Sequence, residues 1–159
     1  MARYNRWMNE RLYEVCAALP EADRREDRSA PFCSVHGTLN HLLLADGLWI
    51  GRFLNEPFVV HSLDQELYSE FDELRSARRE ADDRLEGWVN TLTEERLAAP
   101  FTFTSVVNPQ TRTLPLWLAA AHCFNHQTHH RGQLTTLLEQ LGCDFGVTDL
   151  LLLPEASPR

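Results

Sequence analysis

The chain lacks several features that would each set its class. No apolar run approaches the roughly 20 residues needed to span a bilayer. The opening Met1-Ala2-Arg3-Tyr4-Asn5-Arg6-Trp7 has no apolar core of a signal peptide. No membrane role is expected, and the expected compartment is the cytoplasm. Cys16, Cys33, Cys123 and Cys143 are scattered and form no Cys-x-x-Cys pair of the zinc or redox kind. Reduced thiols are expected, with Cys16 and Cys123 on apolar helical faces as small buried hydrophobes. Positive charge is scarce: Lys+Arg 15 against Asp+Glu 23 gives a net charge of −8. That balance disfavours phosphate backbones and anionic lipid, so nucleic acid is not an expected partner. A length of 159 residues suits a single domain over 1–159, able to bury a core without disulfides or structural metal.

What the chain does have is helical periodicity. Tyr4, Trp7, Met8, Leu12, Val15 and Leu19 recur at three- and four-residue spacing, which predicts an amphipathic helix from about Ala2 to Leu19, closed by Pro20. A second, more apolar and central helix is predicted over about Ser34 to Leu54, with Ser34 as N-cap. Asn55-Glu56-Pro57 breaks it. A third runs from about Ser69 to Leu92 on Phe71, Leu74, Leu85 and Trp88, and its charge run Glu70 to Arg84 reads as a solvated face. Between Pro100 and Thr113, alternating β-branched and aromatic residues around Asn108-Pro109-Gln110 predict a small covering hairpin. The fourth helix begins near Leu114-Pro115 and ends at Leu141, with Gly142 as its stop. Trp7, Trp49, Trp88 and Trp117, one to a helix, are expected core anchors. The expected fold is therefore all-α, a four-helix bundle with a β-hairpin between helices 3 and 4.

The strongest chemical signal is Asn125-His126-Gln127-Thr128-His129-His130-Arg131-Gly132-Gln133. His126 and His130 stand four residues apart on one helix face, a standard way for one helix to offer two imidazoles to one divalent ion. His122 is eight residues from His130, about 12 Å along the axis, and cannot share an ion with it, while His129 points roughly 100° away. A third ligand must come from elsewhere. Among His36, His41 and His61, the best candidate is His41, set in the apolar Leu39-Asn40-His41-Leu42-Leu43-Leu44-Ala45-Asp46. A single histidine in an apolar helix is more often a hydrogen-bonded core residue than a ligand. The helical pair and the buried imidazole together tilt the balance to a three-histidine site. No glutamate stands three residues before a histidine, which argues against a carboxylate-bridged di-iron centre.

Tyr4-Asn5-Arg6-Trp7-Met8-Asn9-Glu10-Arg11-Leu12, the second-helix Leu39 to Asp46 block and the Asn125 to Gln133 block occur in an order that resembles the DinB family, which is distinct from the DNA polymerase of the same name. The resemblance covers the chain from end to end. It implies a four-helix bundle, often dimeric, holding one divalent ion, usually zinc or nickel, by three histidines that match His41, His126 and His130. It also implies kinship with thiol-dependent S-transferases and a mycothiol-dependent isomerase, in which the metal activates a low-molecular-weight thiol. The family usually has residues ahead of its Tyr-Asn-x-Trp block, whereas Tyr4 follows only three. Either the first helix is short at its N-terminal end or the natural start lies further upstream.

Three neutral histidines leave an ion doubly charged with a position open for water or thiolate, so hydrolysis and thiol transfer are both accessible. The zinc-protease spacing here reads His126-Gln127-Thr128-His129-His130, with glutamine where the general base would stand, which disfavours peptidase chemistry. Gln133 on the ligand face could meet a metal-bound group or hold packing. Asp46 could orient an imidazole of a neighbouring helix. Asn40 and Asn125 are adjacent to ligands and are expected to point away from them. The expected function is a metal-dependent enzyme acting on a small molecule, such as a thiol S-transferase. The alternatives are a metal-dependent hydrolase and a non-catalytic, stress-associated interaction module. Leu150 to Leu153 and Ala119-Ala120-Ala121 suit either internal packing or a homodimer interface.

Overall fold

Apolar residues at helical spacing become helices in the four places expected. The computed structural model describes residues 1–56, 58–106 and 108–154. Within them the order is α1 (Ala2–Ala17), α2 (Glu21–Arg25), α3 (Val35–Leu54), α4 (Phe71–Val89), α5 (Glu94–Ala98), β1 (Pro100–Thr104), β2 (Thr111–Pro115) and α6 (Leu116–Gln140), followed by a 3-10 turn at Leu150–Leu152. The long helices close into a ring: α1 packs on α4 and α6, and α3 packs on the same two. This is the helical bundle with one small hairpin that the periodicity predicts. The short α2 and α5 sit in connections that periodicity does not reach. Pro57, read as a breaker, and Val107, read as part of the hairpin, lie outside the described residues.

Local chemistry sets the boundaries. Ser34 is extended, and its hydroxyl oxygen accepts the Gly37 N–H at 3.0 Å, satisfying one orphan donor of the first turn of α3. A Cβ at Gly37 would collide with the Phe32 carbonyl oxygen, so glycine lets the incoming chain fold tightly back on the helix. Asn55 ends α3 in the left-handed conformation. Pro115 is not the first helical residue of α6 but the last of β2, opposite Pro100. Gly142, at φ 73°, lets the backbone turn back so that the Cys143 N–H reaches the Leu138 carbonyl at 2.9 Å.

The core joins Met8, Leu12, Leu39, Leu44, Ile50, Leu74, Leu85, Leu134 and Leu138, all at most 1% exposed. Cys16 and Cys123 are buried among them, as expected of small hydrophobes. Phe101 and Phe103 of the hairpin lie over Phe53 and Trp49, and Phe53 stacks on Trp88. Trp117 departs from expectation: it is 53% exposed. Leu116 takes the inward position at the start of α6, and one residue further turns the side chain about 100° outward. Ala119 and Ala120 are buried within the bundle. The C-terminal leucines divide, with Leu153 against the core and Leu150, Leu151 and Leu152 exposed. No helix among the described residues is long and apolar enough to cross a membrane.

Candidate metal centre

Helix α3 supplies His41, and α6 supplies His126 and His130 one turn apart. The packing of α3 on α6 brings all three rings together. His130 Nε2 stands 3.0 Å from His126 Nε2 and 3.3 Å from His41 Nε2. One ligand atom from each of the three lies within 4.8 Å of the others. A tetrahedral ion with nitrogen ligands at about 2.0–2.1 Å separates its donors by roughly 3.3 Å, so the cluster could hold such an ion.

The proton positions strengthen the fit. His41 Nδ1 lies 2.8 Å from the Leu63 carbonyl oxygen, which can only accept. The proton therefore sits on Nδ1, and Nε2 presents a bare lone pair. His130 Nδ1 lies 2.8 Å from Gln133 Oε1 and is fixed in the same way. Two lone pairs facing each other at 3.3 Å repel unless a cation stands between them. Such outer hydrogen bonds orient metal-ligating histidines. His126 Nδ1 is buried and has no hydrogen-bond partner among the described residues.

A second set of contacts holds the loop that holds His41. Asn40 accepts the Leu67 and Tyr68 N–H groups at 2.8 and 3.0 Å and donates to the Tyr68 carbonyl at 3.1 Å. It points away from the histidines, as adjacent helical positions require, yet it anchors the segment carrying Leu63. His36 meets the same Tyr68 carbonyl at 2.9 Å. Phe32 closes one side of the cluster, stacked on His41 at 3.7 Å and edge-on to His130 at 5.4 Å.

Burial keeps the three imidazoles neutral, the form that binds metal. It pushes His126 down to about 3, with His130 and His41 adding repulsion. His41 and His130 are lowered by burial as well, against the opposing hydrogen bonds from Leu63 and Gln133.

Beneath the cluster lies a buried ionic layer that the sequence reading missed. Arg78 of α4 reaches Asp46 of α3 at 2.8 Å and Asp82 at 3.0 Å. Asn9 donates to Asp82 at 2.9 Å, and Arg131 of α6 bonds Asn5 of α1. The charge run of α4 is thus not wholly solvated, because Arg78 and Asp82 form an inward i, i+4 pair. Asp46, expected to orient an imidazole, instead accepts from Arg78, Gln127 and the Cys123 thiol and meets no histidine among the described residues. Gln127 is fully buried and donates to Asp46 and to the Leu42 carbonyl, turned from the histidines. The signal available in the sequence was polar residues at core-facing positions, Asn5 and Asn9 on α1 against Asp46 and Arg131.

A cleft of about 490 Å³ opens beside His41 and His126. Its walls are Leu48, Trp49 and Arg52 of α3, Leu63 of the connection between α3 and α4, Phe103, Arg112 and Leu114 of the hairpin, and Leu118 and His122 of α6. His122 leans on Trp49 at 5.1 Å and stays outside the three-histidine group, as does the exposed His129. His61 is exposed, and its backbone N–H meets Gln65.

Comparison with known proteins agrees with this architecture. A model of the DinB family matches residues 1–159. Protein DinB of Bacillus subtilis (strain 168) is 25% identical over 154 residues, covering 92% of this chain and 87% of that protein. The crystal structure of a DinB-like protein from Bacillus cereus ATCC 10987 superposes with a TM-score of 0.62 at 19% identity, covering 89% of this chain and 91% of the other, which speaks for the fold.

Proposed function

The chain belongs to the DinB family, and from that premise we propose that it is a cytoplasmic metal-dependent S-transferase in which His41, His126 and His130 hold one zinc or nickel ion. The observation that carries the reading is the pair of bare Nε2 lone pairs 3.3 Å apart, with a third imidazole nitrogen beside them. A divalent ion held by three neutral imidazoles keeps a position open and acidifies a thiol or water that binds there.

The surrounding residues do the rest. Leu63 and Gln133 fix the ring orientations. Phe32 excludes water on one side, and the cleft on the other admits the small-molecule electrophile. Thiol transfer is favoured over hydrolysis because, among the described residues, no carboxylate lines the cleft to serve as general base and Gln127 faces the core. The exposed Trp117 and Leu150 to Leu152 offer apolar surface to a second copy of the chain. A strict monomer by light scattering at high micromolar concentration removes that part of the reading.

The test is elemental analysis of tag-free protein purified without chelator, wild type against His41→Ala and His126→Ala/His130→Ala. The expected result is near one ion per chain in the wild type and none in either variant, with turnover of thiol and electrophile pairs lost in parallel. Wild-type protein that refuses zinc and nickel refutes the metalloenzyme reading.

A further inference from the structure

The cleft beside the histidines carries a charge pattern opposite to that of the chain. The sequence has Asp+Glu 23 against Lys+Arg 15, yet among the described residues no acidic side chain lines this cleft and two arginines do. The Arg52 guanidinium carbon lies over both neighbouring rings, 4.7 Å from the Trp49 centroid and 4.9 Å from that of Phe103. Arg112 is the cross-strand partner of Phe103. Directly opposed residues on a hairpin project from the same face with Cβ atoms about 4.5–5.5 Å apart. Both guanidinium groups therefore flank Phe103 at the hairpin wall.

Neither arginine forms an ion pair with a carboxylate among the described residues. Arg52 donates to the Thr104 carbonyl at 2.8 Å. A guanidinium carries five N–H donors, so the Thr104 contact leaves most of its capacity for a ligand. Burial lowers Arg52 with no counter-charge to offset it. The other walls are Leu48, Trp49, Leu63, Leu114 and Leu118, with His122 and His126 at the far end.

We infer that the cleft binds a small organic oxyanion, its carboxylate or phosphate held by Arg52 and Arg112 and its apolar body along Trp49, Phe103 and Leu118, with the other end directed at the histidines. The planar forks of two arginines match the geometry of both oxyanions. This substrate class rests on the reading above that the histidine end is the reacting end. The anion site itself needs no metal.

Isothermal titration of the full chain, metal-free and zinc-loaded, with 3-phenylpropionate and with its neutral isostere 3-phenylpropanamide separates the two ideas. Wild type is expected to bind the carboxylate at least about tenfold more tightly than the amide in both forms. Arg52→Gln/Arg112→Gln is expected to bring that ratio to about twofold. If the double variant melts early for want of the Arg52–Thr104 contact, the exposed Arg112→Gln alone is expected to reduce the ratio about threefold. 2-Phenylethyl phosphate ranks the two oxyanions, and preference for either over the amide supports the inference. Equal affinity for acid and amide, a preference surviving in the variants, or no binding of either probe up to about 10 mM overturns it. Zinc content is measured on the same samples. Carboxylate preference without metal uptake sinks the metalloenzyme reading and leaves the anion site standing, and the converse sinks the anion site alone.

Discussion

Arg78→Met probes the buried layer on which the histidine geometry rests. The guanidinium stands between Asp46 and Asp82 at 2.8 and 3.0 Å, and the three residues are 2%, 1% and 2% exposed. Methionine fills much of the same volume but leaves two carboxylates facing each other away from water. Removing one partner of a buried ion pair costs about 3–5 kcal/mol, a large part of a total stability of about 5–15 kcal/mol. At about 2–4 °C per kcal/mol for a chain of this size, the melting temperature should fall by about 6–20 °C. Urea unfolding of metal-free protein, followed by tryptophan fluorescence and far-UV circular dichroism, measures the loss. The deficit should be larger at pH 8 than at pH 5, because the stranded carboxylates must stay ionised at the higher pH. Adding Asp46→Asn and Asp82→Asn should recover part of the loss by removing the unpaired charge. Zinc affinity should also fall in folded Arg78→Met, since Asp46 engages Gln127 and so sets the rotation of α6 against α3. A loss below about 1 kcal/mol would refute the reasoning, because it would mean that the layer is hydrated or already neutral.

Gln133→Leu removes the acceptor that fixes His130 and should weaken zinc binding about 10- to 100-fold in a chelator competition, with little change in melting temperature; unchanged affinity would show that the contact orients nothing. Asn40→Ala leaves the Leu67 and Tyr68 N–H groups without their acceptor and should cost about 1–3 kcal/mol in urea. It should also loosen zinc through the Leu63 carbonyl, so a loss of stability with metal affinity intact would break the proposed link. For pH, the unfolded chain takes up protons on its histidines near about 6.5, whereas His126 in the folded protein does so only near about 3. The His126 contribution is fully present above about 6.5 and is lost as pH falls toward about 3. The urea midpoint of metal-free wild type should therefore drop from pH 7.5 to pH 5 by more than that of His126→Gln; equal drops would contradict the burial of His126.

The parts legible in the sequence were those governed by one period. His126 and His130 share a face because four residues make about one turn, and His41 stood out because its stretch, Asn40 and Asp46 aside, is too apolar for a solvated helix. Ser34 and Gly142 marked the ends of their helices through backbone chemistry that needs no tertiary context. What stayed hidden required a partner from another helix. Arg78 and Asp82 look like any solvated i, i+4 pair until Asp46 and Asn9 are placed opposite them. Gln127 occupies the sequence position of a protease base but projects to the core, since one residue beyond His126 is about 100° around the helix. Asn40 acts through a loop 27 residues away in sequence, from which no periodicity signals contact. Trp117 was misread because size suggested burial where phase dictated exposure.

The hairpin wall of the cleft has a bearing on how such a site can change over evolutionary time. The histidines sit on two long core helices tied into a buried polar layer, α3 by the Asp46–Arg78 ion pair and α6 by the Gln127–Asp46 and Arg131–Asn5 hydrogen bonds, so nearly every substitution that shifts them also threatens folding. Phe103, Arg112 and Leu114, by contrast, belong to a two-stranded ribbon packed on the outside of the bundle, where loops and surface elements accept variation most readily. On the proposed reading, the histidine cluster and the hairpin share of the cleft wall thus belong to pieces of the chain with unequal tolerance for mutation. Drift in β1 and β2 could retune which molecules are admitted while the helical scaffold and its histidines are inherited unaltered.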